Sequence, residues 1–435
     1  MAVISLRDEV VDLLQQLIRL NTVNPPGNET QAAELLRDYL APFGVECELY
    51  AREPERANLV ARIRGRGERP TLLLLSHTDT VLADPAEWSV DPWSGELRDG
   101  HVWGRGALDM KDQVAANAVA IASLAREGFQ PAGDLIFAAT ADEELGEGMD
   151  YGLSWLCREH PEAVRCDYAI NEGAGDRVEI GGRVLYLCSS AEKRSSPFVL
   201  HVRGRSGHGS MPGIADNALV KAARYIQRLG EFAPEPRLTP EIEGFLAAIA
   251  DRVPPAGEAL ATARVIDPVA AEMVEPLLGM TVAPTMIEAS QKRNVIPGRC
   301  EVTVDCRLLP GQTEAEAEGI VLEWLGDGDY ELEWGGGQGG TRSPLGTPLW
   351  AAIEEFVGGL EPGARLAPIC VAGFTDSHWL RETFGTVAYG FFPLKAMSAD
   401  LAARLIHSAD ERIPVDDLEL GVRFLRSIAV ATLSE

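Results

Sequence analysis

Lysine is nearly missing from this chain of 435 residues. Only Lys111, Lys193, Lys221, Lys292 and Lys395 are present, and with arginine they give 39 cations against 66 acids. The formal net charge of -27 excludes nucleic acid or an anionic membrane as the main partner, because binding phosphates depends on cations that neutralise them. The acids are spread along the chain instead of gathered in one tail, which describes a solvated acidic surface. Paired cysteine motifs are missing too. Cys47, Cys157, Cys166, Cys188, Cys300, Cys306 and Cys370 are odd in number and contain no C-x-x-C, so no disulfide framework is indicated and a reducing cytoplasm is the expected compartment. No apolar run approaches the roughly 18 to 20 residues that a membrane helix needs. The opening "MAVISLRDEVVDLLQQLIRL" has apolar residues at helical spacing, but Arg7, Asp8, Glu9 and Asp12 interrupt it, which predicts an amphipathic helix and not a signal peptide.

What is present is 46% hydrophobic residues, ample for two or three cores, and a regular alternation of elements. Helices are predicted near 5–20 and 30–40, separated by the turn "NTVNPPGNE". Strands follow at "ECELY", "NLVARI" and "TLLLLSHTDTV", then the glycine-rich loop "DGHVWGRGALDMKD", a helix through "QVAANAVAIASLARE", and strands at "DLIFAAT" and "CDYAINEG". Strands alternating with helices imply an α/β sheet between helices, whose ligands sit outside the carboxyl ends of its strands. Near Ala191 the grammar changes to alternating strands around two helices, "DNALVKAARYIQRL" and "TEAEAEGIVLEWL", which suits a compact α+β insert. Residues 230–279 resist placement, and "GGGQGG" at 335–340 has the flexibility of a hinge. The expected organisation is a catalytic domain in two parts, 1–192 and 341–435, interrupted by a lid domain at 193–340.

The polar residues at the predicted strand ends carry the chemistry. His77 closes a strongly apolar strand with Asp79 two residues on, a spacing that suits a metal-binding imidazole and the carboxylate that orients it. Asp109 ends the glycine-rich loop just before a helix, where a helix cap is the plain alternative. Glu143 and Glu144 follow the apolar strand "LIFAAT" directly, so neighbouring side chains could serve different tasks, one on a metal and one on a water, with Asp142 shaping the turn. The plain alternative is a solvated acidic loop. Glu172 in "NEG" and His407 in "HSADE" complete a set of two histidines and several carboxylates, which suits a dinuclear zinc site, with cobalt or manganese as substitutes.

"SHTDTV", "WGRGALDMKD", "ADEELG", "NEG" and "HSADE", in this order, resemble the dinuclear zinc aminoacylase and carboxypeptidase family over nearly the whole chain. The resemblance implies a zinc-exopeptidase-like catalytic domain, a ferredoxin-like lid and two Zn(2+) per subunit. It makes Asp109 the carboxylate bridging both ions, with His77 and Glu172 on one and Glu144 and His407 on the other. Asp79 would orient His77, and Glu143 would act as general base. His208 in "SGHGSMP" would steady the oxyanion in a neighbouring subunit's site, which implies a homodimer. Asn294, Arg307, Thr375 and His378 would face the substrate. His378 stands where several relatives carry an arginine after "Gly-Thr-Asp", so the usual carboxylate clamp is altered. The implied activity is hydrolysis of an amide bond in an N-acyl amino acid or short peptide bearing a free carboxylate. The alternatives are a biosynthetic deacylase of the acetylornithine or succinyl-diaminopimelate type, and a catalytically inactive dimeric ligand-binding relative.

Overall fold

The computed structural model describes residues 5–145, 150–250 and 252–434. The chain forms two compact units, one gathering 1–190, 343–369 and 375–435, the other 191–342 and 370–374.

The first unit is built on a nine-stranded mixed sheet. Its centre is parallel, with Leu135–Thr140, Leu72–His77, Tyr168–Asn171 and Val387–Gly390 side by side in that order. Antiparallel strands flank it, Ala57–Ile63 and Glu46–Ala51 on one side and Arg183–Glu192 on the other. Every residue of Leu72–His77 and Leu135–Thr140 is buried, as expected where helices cover both faces of a parallel sheet. Alternation divides their side chains between two cores. Leu72, Leu74, Leu135 and Phe137 pack with the helices Leu6–Arg19, Lys111–Arg126 and Val415–Leu433, while Leu73, Leu75, Ile136 and Ala138 pack with Leu153, Leu156 and Leu380. Burying a leucine contributes about 1.5–3 kcal/mol, so these strands are fixed on both faces and their carboxyl ends are held in place. A small sheet pairs Arg412–Pro414 with His101–Trp103, which brings the C-terminal segment beside the glycine-rich loop.

Two local expectations change. The strand drawn through "TLLLLSHTDTV" ends at His77, and the helix after the glycine-rich loop begins at Lys111 with Met110, not Asp109, as its cap residue. The hairpin of Arg177–Ile180 with Arg183–Glu192 joins the sheet without having been predicted.

The second unit runs strand, helix, strand, strand, helix, strand: Phe198–Arg203, Ala218–Gly230, Thr281–Glu288, Arg299–Leu308, Glu314–Leu325, Tyr330–Trp334. The strands are antiparallel in the order fourth, first, third, second, the ferredoxin-like arrangement. Cys300, Val302, Val304, Cys306 and Leu308 alternate inward against Ala222 and Val321 of the two helices. The stretch that resisted placement supplies three further helices, Pro240–Ala250, Ala259–Ile266 and Pro268–Val274. Among the described residues no helix is long and apolar enough to cross a membrane.

Candidate metal centre

Three neighbouring parallel strands deliver their carboxyl ends to one place. His77 is the last residue of its strand, Glu172 follows Asn171, and Glu143 and Glu144 follow Thr140 by a short turn. His77 Nε2 lies 3.2 Å from Asp109 Oδ1, 3.8 Å from Glu172 Oε2 and 4.0 Å from Glu143 Oε2. His407 Nε2 lies 3.0 Å from Asp109 Oδ2 and 3.2 Å from Glu144 Oε2. Asp109 thus presents one oxygen to each imidazole, and the two glutamates after the Leu135–Thr140 strand face different histidines. On the other side of His77, Nδ1 is 3.1 Å from the carbonyl oxygen of Asp79 and 3.5 Å from its carboxylate, which leaves Nε2 to point into the cluster. Asp79 lies just beyond the end of the Leu72–His77 strand.

The cluster is short of positive charge. Among the described residues no lysine or arginine pairs with Asp109, Glu143, Glu144 or Glu172. Lys111 is buried nearby in sequence, but its Nζ donates to the carbonyls of Leu17 and Leu20 at 3.0 and 2.8 Å. Burial pushes the carboxyls of Glu143, Glu144 and Glu172 above their ordinary range, and neighbouring acids add to the effect. Burial pulls His77 down, yet hydrogen bonds with Asp109, Asp79 and Glu172 outweigh it and raise the imidazole well above its usual value. His407 is pushed up to about 10 by Asp109 and Glu144. Burial pushes Asp109 up, but the two histidines hold its carboxyl below the usual range. Glu144 Oε1 is buried with no hydrogen-bond partner among the described residues. A buried orphan oxygen, crowded carboxylates and imidazole nitrogens aimed at them are the donors a pair of divalent cations would satisfy, so these residues fit such a centre. His77 with Glu143 and Glu172, and His77 with Asp109 and Glu144, bring their ligand atoms within 4.8 Å of one another.

Residues 73–431 match the model of peptidase family M20/M25/M40. The chain belongs to that family. It is 34% identical over 230 residues to a succinyl-diaminopimelate desuccinylase of Parvibaculum lavamentivorans, a match covering 50% of this chain and 54% of the relative. The chain spans about half the length of the curated relatives it matches. Its fold is that of an M20 family metallo-carboxypeptidase from Sulfolobus solfataricus, with a TM-score of 0.71 at 19% identity over 97% of this chain and 98% of the other. A dinuclear metal binding peptidase of the family from Bacillus subtilis aligns at a TM-score of 0.59 and 13% identity over 99% of both chains.

In this M20/M25/M40 chain, the remaining site candidates fall in both units. Thr375 and His378 are in the first. His378 is buried, its Nδ1 2.6 Å from the carbonyl oxygen of Thr375 and its ring centroid 4.1 Å from that of Trp379. Between them, buried Asp376 accepts a hydrogen bond from Thr140 at 3.2 Å, at the end of the strand that leads to Glu143. Arg381 Nε donates to Ser343 Oγ and its Nη2 to the carbonyl of Ala388, so its fork braces the fold. Within the second unit, exposed His208 and Asn294 lie on adjacent segments, where the Gly209 N–H donates to the Asn294 carbonyl at 2.8 Å. His208 Nδ1 is 2.8 Å from Ser210 Oγ. Arg307 forks onto Asp305 with two bonds of 3.0 Å.

Sequence reasoning missed a residue that braces the candidate ligand Asp109. Glu411, four positions after His407, is fully buried; its Oε1 accepts the backbone N–H of Leu108 and Asp109 at 2.6 and 3.1 Å, and its Oε2 takes Arg105 Nη1 at 2.5 Å. Its place in the same "HSADE" motif as His407 was the available signal.

Proposed function

We propose that this chain is a dinuclear metal-dependent amide hydrolase acting on an N-acyl amino acid or a short peptide with a free carboxylate. The carrying observation is Asp109, whose two oxygens separately face His77 and His407 with Glu172 beside one histidine and Glu144 beside the other. His77, Asp109 and Glu172 would hold one ion, and Asp109, Glu144 and His407 the second; zinc suits the mixed nitrogen and oxygen donors, with cobalt or manganese as substitutes. The ions when bound supply Lewis acidity toward the scissile carbonyl and lower the pKa of water.

The chain's own residues then divide the work. Glu143 lies 4.0 Å from His77 Nε2, and its buried carboxyl has a raised affinity for protons, which suits a base that takes a proton from water and returns it to the leaving nitrogen. Asp79 fixes the tautomer and direction of His77 from behind. His208, exposed on the second unit, would donate to the oxyanion in a partner subunit of a homodimer, with that unit as lid. Asn294, Arg307, Thr375 and His378 would hold the substrate. A substrate carboxylate would compete with Asp305 for the Arg307 fork. A cytoplasmic setting agrees with the free cysteines.

The similarity to desuccinylases supports a second reading, a deacylase removing a succinyl group from an amino acid side chain or α-amine. A screen of purified protein across N-acetyl, N-succinyl and dipeptide substrates, with zinc, cobalt and manganese each added back, separates these readings. Hydrolysis of none of them with any metal would favour the inactive ligand-binding relative.

A further inference from the structure

The turn "NTVNPPGNE" takes no part in the chemistry above, yet it contributes to a buried polar chain that ends on the metal-ligand turn. Glu29 is fully buried and receives the Arg56 fork, Nε to Oε2 at 2.6 Å and Nη2 to Oε1 at 2.8 Å. Arg56 Nη2 also donates to Asp142 Oδ1 at 3.0 Å. The Asn24 amide nitrogen donates to the same Asp142 oxygen at 3.0 Å and to Asp79 Oδ2 at 2.9 Å. Asp79 in turn accepts the backbone N–H of Glu143 at 3.2 Å and of Glu144 at 3.0 Å.

Asp142 is therefore more than a turn former. Its φ of 68° lies in the left-handed region, and its Oδ2 accepts the backbone N–H of Asp150 at 2.9 Å and Tyr151 at 3.3 Å. Asn58 joins Ala141 to Tyr151, accepting from Ala141 N at 2.9 Å and donating to the Tyr151 carbonyl at 2.7 Å. Gly27 is required beside this chain. At φ 77° it sits where an added Cβ would lie 2.3 Å from Arg56 Nε, so a side chain there would displace the guanidinium.

Three buried carboxylates, those of Glu29, Asp142 and Asp79, are linked through Arg56 and the Asn24 amide, and the last of them holds both the His77 ring and the two glutamate N–H groups. We propose that Asn24, Arg56 and Asp142 are positioning residues that set the Glu143–Glu144 turn and Asp79 for metal binding, although none of them is a metal ligand. Partners that hold ligands in direction typically change metal affinity or activity by about 10- to 100-fold when removed.

The inference rests on the dinuclear reading, and the wild-type chain is the control for it. The full chain is stripped with chelator and titrated with cobalt(II) alone, following visible absorption and heat, for wild type, Asn24→Ala and Arg56→Lys. Asn24→Ala leaves the Arg56 pairs with Glu29 and Asp142 in place, so it tests the network with the least risk to folding. The expected result is cobalt affinity lower by about tenfold or more in both variants, with metal-free Asn24→Ala still unfolding in one cooperative transition, at a lower Tm than wild type because two buried carboxylates lose a donor. Variants with wild-type cobalt affinity, whatever their Tm, would reduce the network to support of the fold and overturn the proposal. A wild-type chain that takes up no cobalt would instead overturn the dinuclear reading on which it rests.

Discussion

His407 meets Asp109 at 3.0 Å, Nε2 to Oδ2, from a backbone held at φ 60°. A histidine in the left-handed region costs about 1–3 kcal/mol, and such residues concentrate where the direction of a side chain matters more than local stability. Here the direction gives the outer Asp109 oxygen its own imidazole while His77 takes the inner one. If that division reflects two ions, His407→Ala should bind one zinc fewer per chain than wild type, whereas Asp109→Ala should lose affinity for both. Metal content after dialysis, measured by atomic emission, decides; loss of a single ion from Asp109→Ala would show that this carboxylate does not bridge.

The adjacent glutamates should separate by experiment. Glu144 faces His407 at 3.2 Å and has a buried oxygen without a partner among the described residues, whereas Glu143 lies toward His77 and Glu172. Glu144→Gln should lower metal affinity. Glu143→Gln should keep the metal and lower kcat by about 10² to 10⁴, the usual contribution of a placed base. The reverse pattern in metal content and turnover would exchange their roles.

The strand ends were legible in the sequence because an apolar run that stops at once on His or Glu seldom serves packing alone. "LLLLSH" and "LIFAAT" marked both strands as buried between helices, although the first, as predicted, runs on past His77 to Val81. Periodicity says nothing of partners far along the chain, and for that reason Glu411, Arg56 and Asn24 went unassigned: each acts through a contact such as Asn24 with Asp142 or Arg105 with Glu411, made only after folding. The short strand Val387–Gly390 escaped for another reason, since four residues are too few to show alternation.

The metal-free centre sets a pH dependence. His77, His407, Glu143, Glu144 and Glu172 all bind protons more tightly in the folded chain than their ordinary values allow. Each then contributes stability that is present below its ordinary value and lost as pH rises through the folded one. For His407 that window runs from 6.5 to about 10. Asp109 and Asp79 act oppositely, but only below their ordinary value of 3.8. Buried Lys111 and Lys193, held down by burial at about 7 and about 8, act oppositely in the same window, so the comparison is with His407→Ala. Between near neutral pH and about pH 10 the Tm of chelator-treated wild type should fall relative to that of the variant, and saturating zinc should remove most of this loss by replacing the protons. Calorimetry showing the same pH dependence of Tm in metal-free wild type and His407→Ala would contradict the arrangement.

Gly390 offers a test of how tightly the strands fix a ligand. It pairs with Asn171 in the parallel sheet, and a Cβ added to it would lie 2.0 Å from the carbonyl oxygen of Glu172. Backbone cannot yield there as a flexible side chain would. Gly390→Ala should cost about 1–3 kcal/mol, the range for an overpacked core, and should weaken the ion that Glu172 holds. Urea denaturation and zinc titration of the same sample check both effects, and unchanged zinc affinity would mean that Glu172 moves freely of its strand.

The role given to His208 has the sharpest test, because it concerns which subunit supplies the side chain. His208 is exposed on the second unit, with Ser210 beside its Nδ1, and Glu143 belongs to the first. Singly, His208→Ala should retain its metal and lose about 10² to 10³ in kcat, as removal of one oxyanion donor does, and Glu143→Gln should be nearly inactive. When the two inactive variants are mixed and their subunits exchanged, a mixed dimer contains one site with Glu143 from one chain and His208 from the other. If His208 serves the partner's site, random pairing restores about a quarter of wild-type activity, since half the dimers are mixed and each has one complete site. If His208 serves its own chain, no mixed dimer holds a complete site and mixing restores nothing. A chain that remains monomeric at assay concentration also gives no recovery, and light scattering on the same mixture distinguishes that outcome from action within one chain.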